Sequence, residues 1–261
     1  MRCILPLITA FAFSMAAHAQ PAPKMTTPAN LTILADEAML LPIARMARAY
    51  SSKTKTPLTV VALNAADAEH QIEQGIEAHL VITANAALIG RLSEQGMTDV
   101  NSRRALARTQ LALVTTSDLN KQADIAERIS FASILSATPT LPIFYNEPTS
   151  MDGALAQKMR TDSEFSNILN ARMASKPTLE EVIASLRDEP SLALILAADA
   201  VAEPDMRVLS LLPESISAPV TFEVVVLGSE AMSQARAFSN YLMTKDAQVI
   251  FSNLGYKPPT R

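Results

Sequence analysis

The stretch Leu31–Tyr50, LTILADEAMLLPIARMARAY, decides how the rest of the chain is read. Leu31, Ile33 and Leu34 supply a buried strand, and Asp36 and Glu37 sit where the chain reverses. Ile43, Met46, Ala47 and Tyr50 then recur at i, i+3, i+4 and i+7, the period of an amphipathic helix. Pro42 fits if that helix starts near Ala38, because a proline in the first turn gives up only an amide with no intrahelical partner. A strand that feeds a helix through a tight turn aims backbone N–H groups above the strand's carboxyl end. In open α/β sheets that is where ligands bind.

The same unit recurs downstream. Leu58–Leu63 reads as a second strand, Asn64–Asp67 as its turn, and Ala68–Gln74 as a short helix stopped by Gly75. Leu80–Thr83 is a third strand, followed by a helix marked by Leu88, Ile89 and Leu92 and ended by Gly96. This alternation predicts a parallel sheet covered by helices. A basic patch read as helical (Arg103, Arg104, Arg108) leads into a strand at Leu111–Thr115. A second α/β unit follows, with helices at Ile129–Leu135, Gly153–Arg160 and Leu179–Leu186. Its strands are Leu141–Tyr145, Leu192–Leu196 and Val208–Leu211. Phe222–Leu227 is a strand, and helices at Met232–Leu242 and Asp246–Asn253 close the chain. The expected architecture is α/β and two-lobed with two crossing strands: 30–115 and 222–261 in lobe 1, 116–221 in lobe 2.

The 261 residues are 49% apolar, enough for a substantial core. Arg2, the apolar run Ile4–Ala17 and the Ala17-His18-Ala19 cleavage pattern read as a secretory signal peptide over 1–19. That run is too short to span a bilayer. Residues 20–29, with Pro21–Pro28 reading PAPKMTTP, are expected to form a flexible tether. Cys3, the single cysteine, lies in the leader, so the processed chain offers no disulfide, thiolate nucleophile or cysteine metal site. Losing Arg2 moves the net charge from −4 to −5, since the leader carries no acid. An acidic balance argues against nucleic acid as a partner.

The six glycines form no phosphate-cradling pattern, and neither a zinc-protease helix nor a serine-hydrolase elbow is present. No cofactor and no enzymatic activity are expected. His70, near Asp67, Glu69 and Glu73, reads as part of a solvated helix face rather than a metal site. His79 reads as structural. The absence of tryptophan and the 5% aromatic content disfavour sugars and planar ligands. Met46, Met159 and Met173 read as gap-fillers at helical apolar positions.

Several stretches together resemble the molybdate-binding proteins of ABC transporters, within the two-lobed type II periplasmic binding proteins. They are the strand-turn-helix at Leu31–Tyr50; Gln71-Ile72-Glu73-Gln74-Gly75 with Ala78–Ala84; Leu111–Val114; the polar loop Asn146–Gly153; and Asp199-Ala200-Val201. The tail adds Phe238, Tyr241-Leu242, Ala247-Gln248, Ile250-Phe251, Gly255-Tyr256 and Pro258. The resemblance covers most of the processed chain. It implies a periplasmic, monomeric protein that holds a small tetrahedral oxyanion, molybdate or tungstate, between its lobes. The cargo would pass to an ABC permease in the inner membrane. The family's grip consists of backbone N–H groups at helix starts, two serine hydroxyls and often a tyrosine.

Carried over residue by residue, the cleft candidates are Asp36, Glu37, Ala38, Asn64, Ala65, Asp67, Asp152, Leu179 and Leu196. Ala38 stands at the first serine position and Leu196 where a tyrosine is usual, so hydroxyls are replaced and acids gained. Asp36 and Asp67 are also well placed to cap helices. An ionised carboxylate ~4 Å from a dianion costs several kcal/mol, more than the ~1.5–3 kcal/mol of one hydrogen bond to a charged group. Two alternatives follow. The same fold binds a cation, metal or amine or has lost transport, or the chain is a hydrolase-like enzyme.

Overall fold

The computed structural model describes residues 30–63, 68–99, 101–116, 118, 130–162, 165–228 and 231–259. The expected leader and tether lie outside these. β1 (Leu31–Ala35) runs into α1 (Glu37–Thr54), followed by β2 (Leu58–Ala62), α2 (Ala68–Glu73), β3 (Leu80–Thr83) and α3 (Ala86–Glu94). β4 (Arg104–Thr109) and β5 (Leu111–Thr116) come next, then α4 (Phe131–Ala137), β6 (Ile143–Asn146), α5 (Met151–Asp162), α6 (Ser166–Asn170) and β7 (Met173–Lys176). The chain continues through α7 (Leu179–Asp188), β8 (Leu192–Leu196), α8 (Ala197–Ala202) and β9 (Met206–Leu211). It ends with β10 (Val220–Val226), α9 (Met232–Leu242) and α10 (Lys245–Asn253).

Two five-stranded sheets result, ordered β2-β1-β3-β10-β4 and β7-β6-β8-β5-β9. β1 pairs in parallel with β2 and β3, and β10 returns antiparallel to β3 and β4. In the second sheet β6 is parallel to β7 and β8, while β5 is antiparallel to β8 and β9. The chain therefore passes between sheets at Gln110 and again between Leu211 and Val220. The first passage precedes the expected boundary after 115, because Leu111–Val114 pair with β8.

Burial explains the strands. Leu31, Ile33, Leu80, Ile82, Phe222, Val224 and Val226 are fully buried in a core that also takes Met39, Ile43 and Met46 from α1. At ~25 cal/mol per Å2 of apolar surface, such residues outweigh local propensity. The same core includes Leu196 and Ala198 from the second sheet's side and packs against Met151 and Leu155 of α5. An apolar floor thus joins the two halves.

Three local expectations need correction. The basic patch Arg103–Arg108 is not helical: Arg104 and Arg108 lie in β4, an edge strand, where Leu106 and Ala107 point into the core. Arg103 instead pairs with Glu223 at 2.6 Å, Arg104 donates to Asn240 and Arg108 to the Pro258 carbonyl. Charged side chains on an edge strand also discourage pairing with another chain. Met173 fills its gap from strand β7, not from a helix. Finally, α1 begins at Glu37, so Pro42 is its sixth residue and lies beyond the first turn. A proline there removes the donor to the carbonyl four residues back, that of Ala38.

Among the described residues, no helix is long and apolar enough to cross a membrane.

Candidate functional site

The turn after β1 brings Asp36 to the carboxyl end of the first sheet, 7% exposed. Its amide donates to the Ile82 carbonyl at 2.9 Å. Its Oδ2 accepts from the Ala84 amide at 2.7 Å and the Thr83 hydroxyl at 3.0 Å. No side-chain bond runs to α1. Asp36 therefore ties the end of β1 to the end of β3. The expected capping fails because Oδ2 is committed across the sheet. Burial raises its carboxyl pKa, and the bonds from Ala84 and Thr83 act in the opposite direction.

Glu37, the first residue of α1, is exposed, and Ala38 is half-buried behind it. The carbonyl of Ala38, deprived of a donor by Pro42, receives the hydroxyl of Tyr256. This bond pins the tail to the first turn of α1. Tyr256 is 4% exposed and sits edge-on to Phe222 and Phe251. Burial, and then the charge of Asp199, hold its phenol above the ordinary value, so it remains a neutral donor. Gly255 just before it has φ +82, and a Cβ there would come within 3.0 Å of Ala198 and Val201. A glycine is needed where the tail passes α8.

The loop before α5 closes tightly. The Ser150 hydroxyl donates to the Glu147 carbonyl at 2.8 Å and accepts from the Gly153 amide at 3.1 Å. A Cβ on Gly153 would fall 2.0 Å from the Glu147 carbonyl oxygen. This fold-back buries Asp152 to 6% exposure and leaves its Oδ2 with no hydrogen-bond partner. Burial raises its pKa against the lowering influence of Ser150, Gly153 and Asn146.

Asp199 lies in the first turn of the short helix α8. Burial pushes its carboxyl up to about 7, and the charges of Asp152 and Glu37 push the same way. The turn that presents it is fixed from the crossing strand. The Ala197 amide donates to the Gln110 carbonyl at 2.9 Å and the Ala198 amide to the Thr109 hydroxyl at 3.3 Å. The first turns of α1 and α5 and the start of α8 thus meet at one apolar cluster, through Met39, Met151 and Ala198, and the tail's Tyr256 belongs to the same cluster.

Of the sequence candidates, Glu37, Ala38 and Asp152 lie at this convergence. Leu196 is buried in the floor, and Leu179 packs half-buried on the second sheet against the cluster of Val182 and Ile183. Asn64, Ala65 and Asp67 lie outside the described residues. Asp199 and Tyr256 were not among the candidates, although both stand inside motifs quoted above, Asp199-Ala200-Val201 and Gly255-Tyr256. His79 is structural: 2% exposed, its Nδ1 accepts from the Thr32 amide at 3.1 Å. Exposed His70 contacts Gln74 at 2.6 Å.

A profile described as bacterial extracellular solute-binding protein matches residues 31–257. The chain belongs to that family. Across this solute-binding chain, the molybdate-binding protein ModA of Escherichia coli (strain K12) is 23% identical over 189 residues, 71% of this chain and 72% of that protein. Among solved structures, a substrate-binding domain assigned to a molybdenum ABC transporter of Clostridium difficile superposes with TM-score 0.76 at 22% identity. The match covers 88% of this chain and 99% of the other. The periplasmic molybdate-binding protein of Azotobacter vinelandii gives 0.67 at 14% identity, covering 88% and 100%. The two-lobed type II periplasmic binding protein fold is therefore the fold of this chain, and its relatives are binding proteins rather than enzymes.

The cation and hydrolase alternatives are not favoured. Asp36 is committed to Thr83 and Ala84, and burial works against ionisation of Asp152 and Asp199. Among the described residues, no three His, Cys, Asp or Glu side chains are grouped to hold a metal ion.

Proposed function

We propose that this solute-binding protein carries a small tetrahedral oxyanion of the molybdate or tungstate class. The anion occupies the cleft between the two sheets and is delivered to an ABC permease in the inner membrane. Lobe 1 comprises the first sheet with the C-terminal tail, and lobe 2 the second sheet. Export through the leader 1–19, residence in the periplasm and a monomeric state belong to the same proposal.

The observation that carries it is that the first turns of α1 and α5, through Ala38, Met39 and Met151, meet at one apolar cluster in a chain of this family. The first amides of a helix have no intrahelical partner and sit at the positive end of its dipole, which favours an anion. The 18-residue α1 and the 12-residue α5 are long enough for that effect. Ala38 and the small residues around Gly153 leave backbone, rather than side chains, at the front of the cleft. Hydroxyl donors are absent at Ala38 and Leu196, and desolvation disfavours the charged forms of Asp152 and Asp199.

The test is a thermal-shift panel on the leader-free protein with molybdate, tungstate, sulfate, phosphate and divalent cations. A ligand at 100 times its Kd adds ~2.7 kcal/mol of stability by mass action. Stabilisation by molybdate or tungstate at micromolar levels is expected. A response to divalent cations with none to any oxyanion would overturn the proposal.

A further inference from the structure

Between β4, the end of β10 and α9 lies a polar cavity of about 230 Å3, room for a small organic molecule rather than a single water. It sits beside Val226, which pairs with Leu80 at the start of β3, whereas Asp36 bonds to Thr83 at the end of that strand. It is therefore separate from the turn after β1 and from the cleft assigned to the oxyanion. Its floor is fixed by the fold. The Ser102 hydroxyl donates to the Asp99 carbonyl at 2.6 Å and accepts from the Val226 amide at 2.8 Å, and the Asp99 amide donates to the Val226 carbonyl at 2.9 Å. Two guanidiniums line the walls. Arg104 donates to Oδ1 of Asn240 at 2.8 Å, and Arg236 donates to Oδ2 of Asp99 at 2.6 Å. A guanidinium carries five N–H donors, and each of these bonds uses one. Asn240, its oxygen turned to Arg104, keeps its amide N–H groups. Ser239 also lines the cavity, is 3% exposed, and its hydroxyl makes no hydrogen bond to a described residue. Asp99 is the one carboxylate of the lining, and its bond from Arg236 holds it below the ordinary carboxylate range. Two arginines against one ionised aspartate leave the lining with a net positive charge and an excess of donors.

We propose that this cavity is a second ligand site, which takes a small, singly charged carboxylate with polar substituents: Arg104 and Arg236 hold the carboxylate oxygens, and Ser239 and Asn240 hydrogen-bond to the substituents. The planar fork of a guanidinium matches a carboxylate, and bonds between two charged groups are the strong ones. An apolar ligand would strip water from the free donors without replacing it. A cation meets two guanidiniums. A dianion gains from the arginines but brings a second negative charge against Asp99, which stays ionised at the cavity wall. One negative charge therefore fits best. β4, β10 and α9 all belong to lobe 1, so the site is complete within one lobe and fills independently of the cleft between the sheets. This inference does not rest on the oxyanion reading above.

The experiment is isothermal titration of sodium glycerate into the full leader-free protein, at ionic strength held constant with sodium chloride, with glycerol and succinate as comparison ligands. Saturable one-to-one binding of glycerate is expected, with succinate weaker and glycerol silent. Arg104→Gln removes a charged donor and is expected to weaken glycerate roughly tenfold or more. Ser239→Val puts a methyl group where the free hydroxyl stands and is expected to weaken it as well. Glycerate affinity is expected to be the same with and without molybdate. No binding of glycerate, glycerol or succinate bound as tightly as glycerate, or an affinity unchanged in both variants overturns the proposal. Displacement of glycerate by molybdate puts it in the cleft between the sheets and overturns the second site while leaving the oxyanion reading standing. If Ser239→Val fails to fold, Arg104→Gln, an exposed position on an edge strand, still decides.

Discussion

Asp36 gives the sharpest test of how the first turn works, because two roles for the same side chain predict different responses to serine. Its Oδ2 holds the Ala84 amide at 2.7 Å and the Thr83 hydroxyl at 3.0 Å, across the gap from β1 to β3. Each bond to a charged acceptor is worth ~1.5–3 kcal/mol, and the partly opposing cost of burying the carboxylate reduces the sum. Asp36→Ala should therefore cost ~3 kcal/mol, and Asp36→Asn, which keeps an acceptor oxygen without the buried charge, only ~1 kcal/mol. Asp36→Ser separates the roles. Serine caps a helix about as well as aspartate but is too short to reach Thr83 and Ala84. It should lose nearly as much as alanine. For a chain of this size ~3 kcal/mol lowers Tm by ~6–12 °C, readable by circular dichroism at pH 7 and by urea midpoint. If Asp36→Ser stays within ~0.5 kcal/mol of wild type while Asp36→Ala falls, the residue is a helix cap and the cross-sheet tie has no energetic weight.

Tyr256→Phe removes the donor to the Ala38 carbonyl that Pro42 has already deprived of an amide, so a loss of ~1–3 kcal/mol is expected in urea unfolding; restoring that amide with Pro42→Ala in the same background should recover part of it. Gly153→Ala forces a methyl to 2.0 Å from the Glu147 carbonyl oxygen and should cost ~3 kcal/mol or more, seen as a large fall in urea midpoint. Stability should also depend on pH through the cleft acids. Asp199 binds its proton up to about 7 in the folded chain against 3.8 as its ordinary value, so the folded state holds more protons across that window. The stabilisation is complete below 3.8 and is lost as pH rises through about 7. Urea titrations from pH 5 to 8 should show wild type declining and Asp199→Asn flatter; equal slopes would contradict the raised pKa of Asp199.

Periodicity made the architecture legible, and it failed where one residue type answered two questions at once. The apolar runs at Leu31, Leu80 and Leu192 read as buried strands because burial on both faces leaves no polar alternation, and each is a strand. Arg103, Arg104 and Arg108 suggested a charged helix face, but charges are equally at home on an edge strand, and Leu106 and Ala107 between them are what the core uses. The short β7 (Met173–Lys176) was invisible because only one of its residues is buried. At the cleft, Asp36 was recognised as important for the wrong bond: spacing along the chain pointed to the adjacent helix, while its partners lie 47 and 48 residues away. Asp199 and Tyr256 were visible as motif letters, yet their proximity to Glu37, Asp152 and Ala38 depends on the tail crossing back over α8, which no local pattern encodes.

The acids that set this cleft apart look incompatible with an anion only if they are counted as charges. At ~4 Å and an effective dielectric near 20, a carboxylate repels a dianion by ~8 kcal/mol. Removing that charge costs far less: for a group that titrates at about 7, protonation at pH 8 costs ~1.4 kcal/mol. An anion at that distance from Asp199 would therefore favour its protonated form, and burial shifts Asp152 in the same direction. Glu37 differs, because its exposed side chain can turn towards water at the cleft rim. For an oxyanion bound near these acids, affinity would therefore depend on pH, falling as the carboxyls ionise.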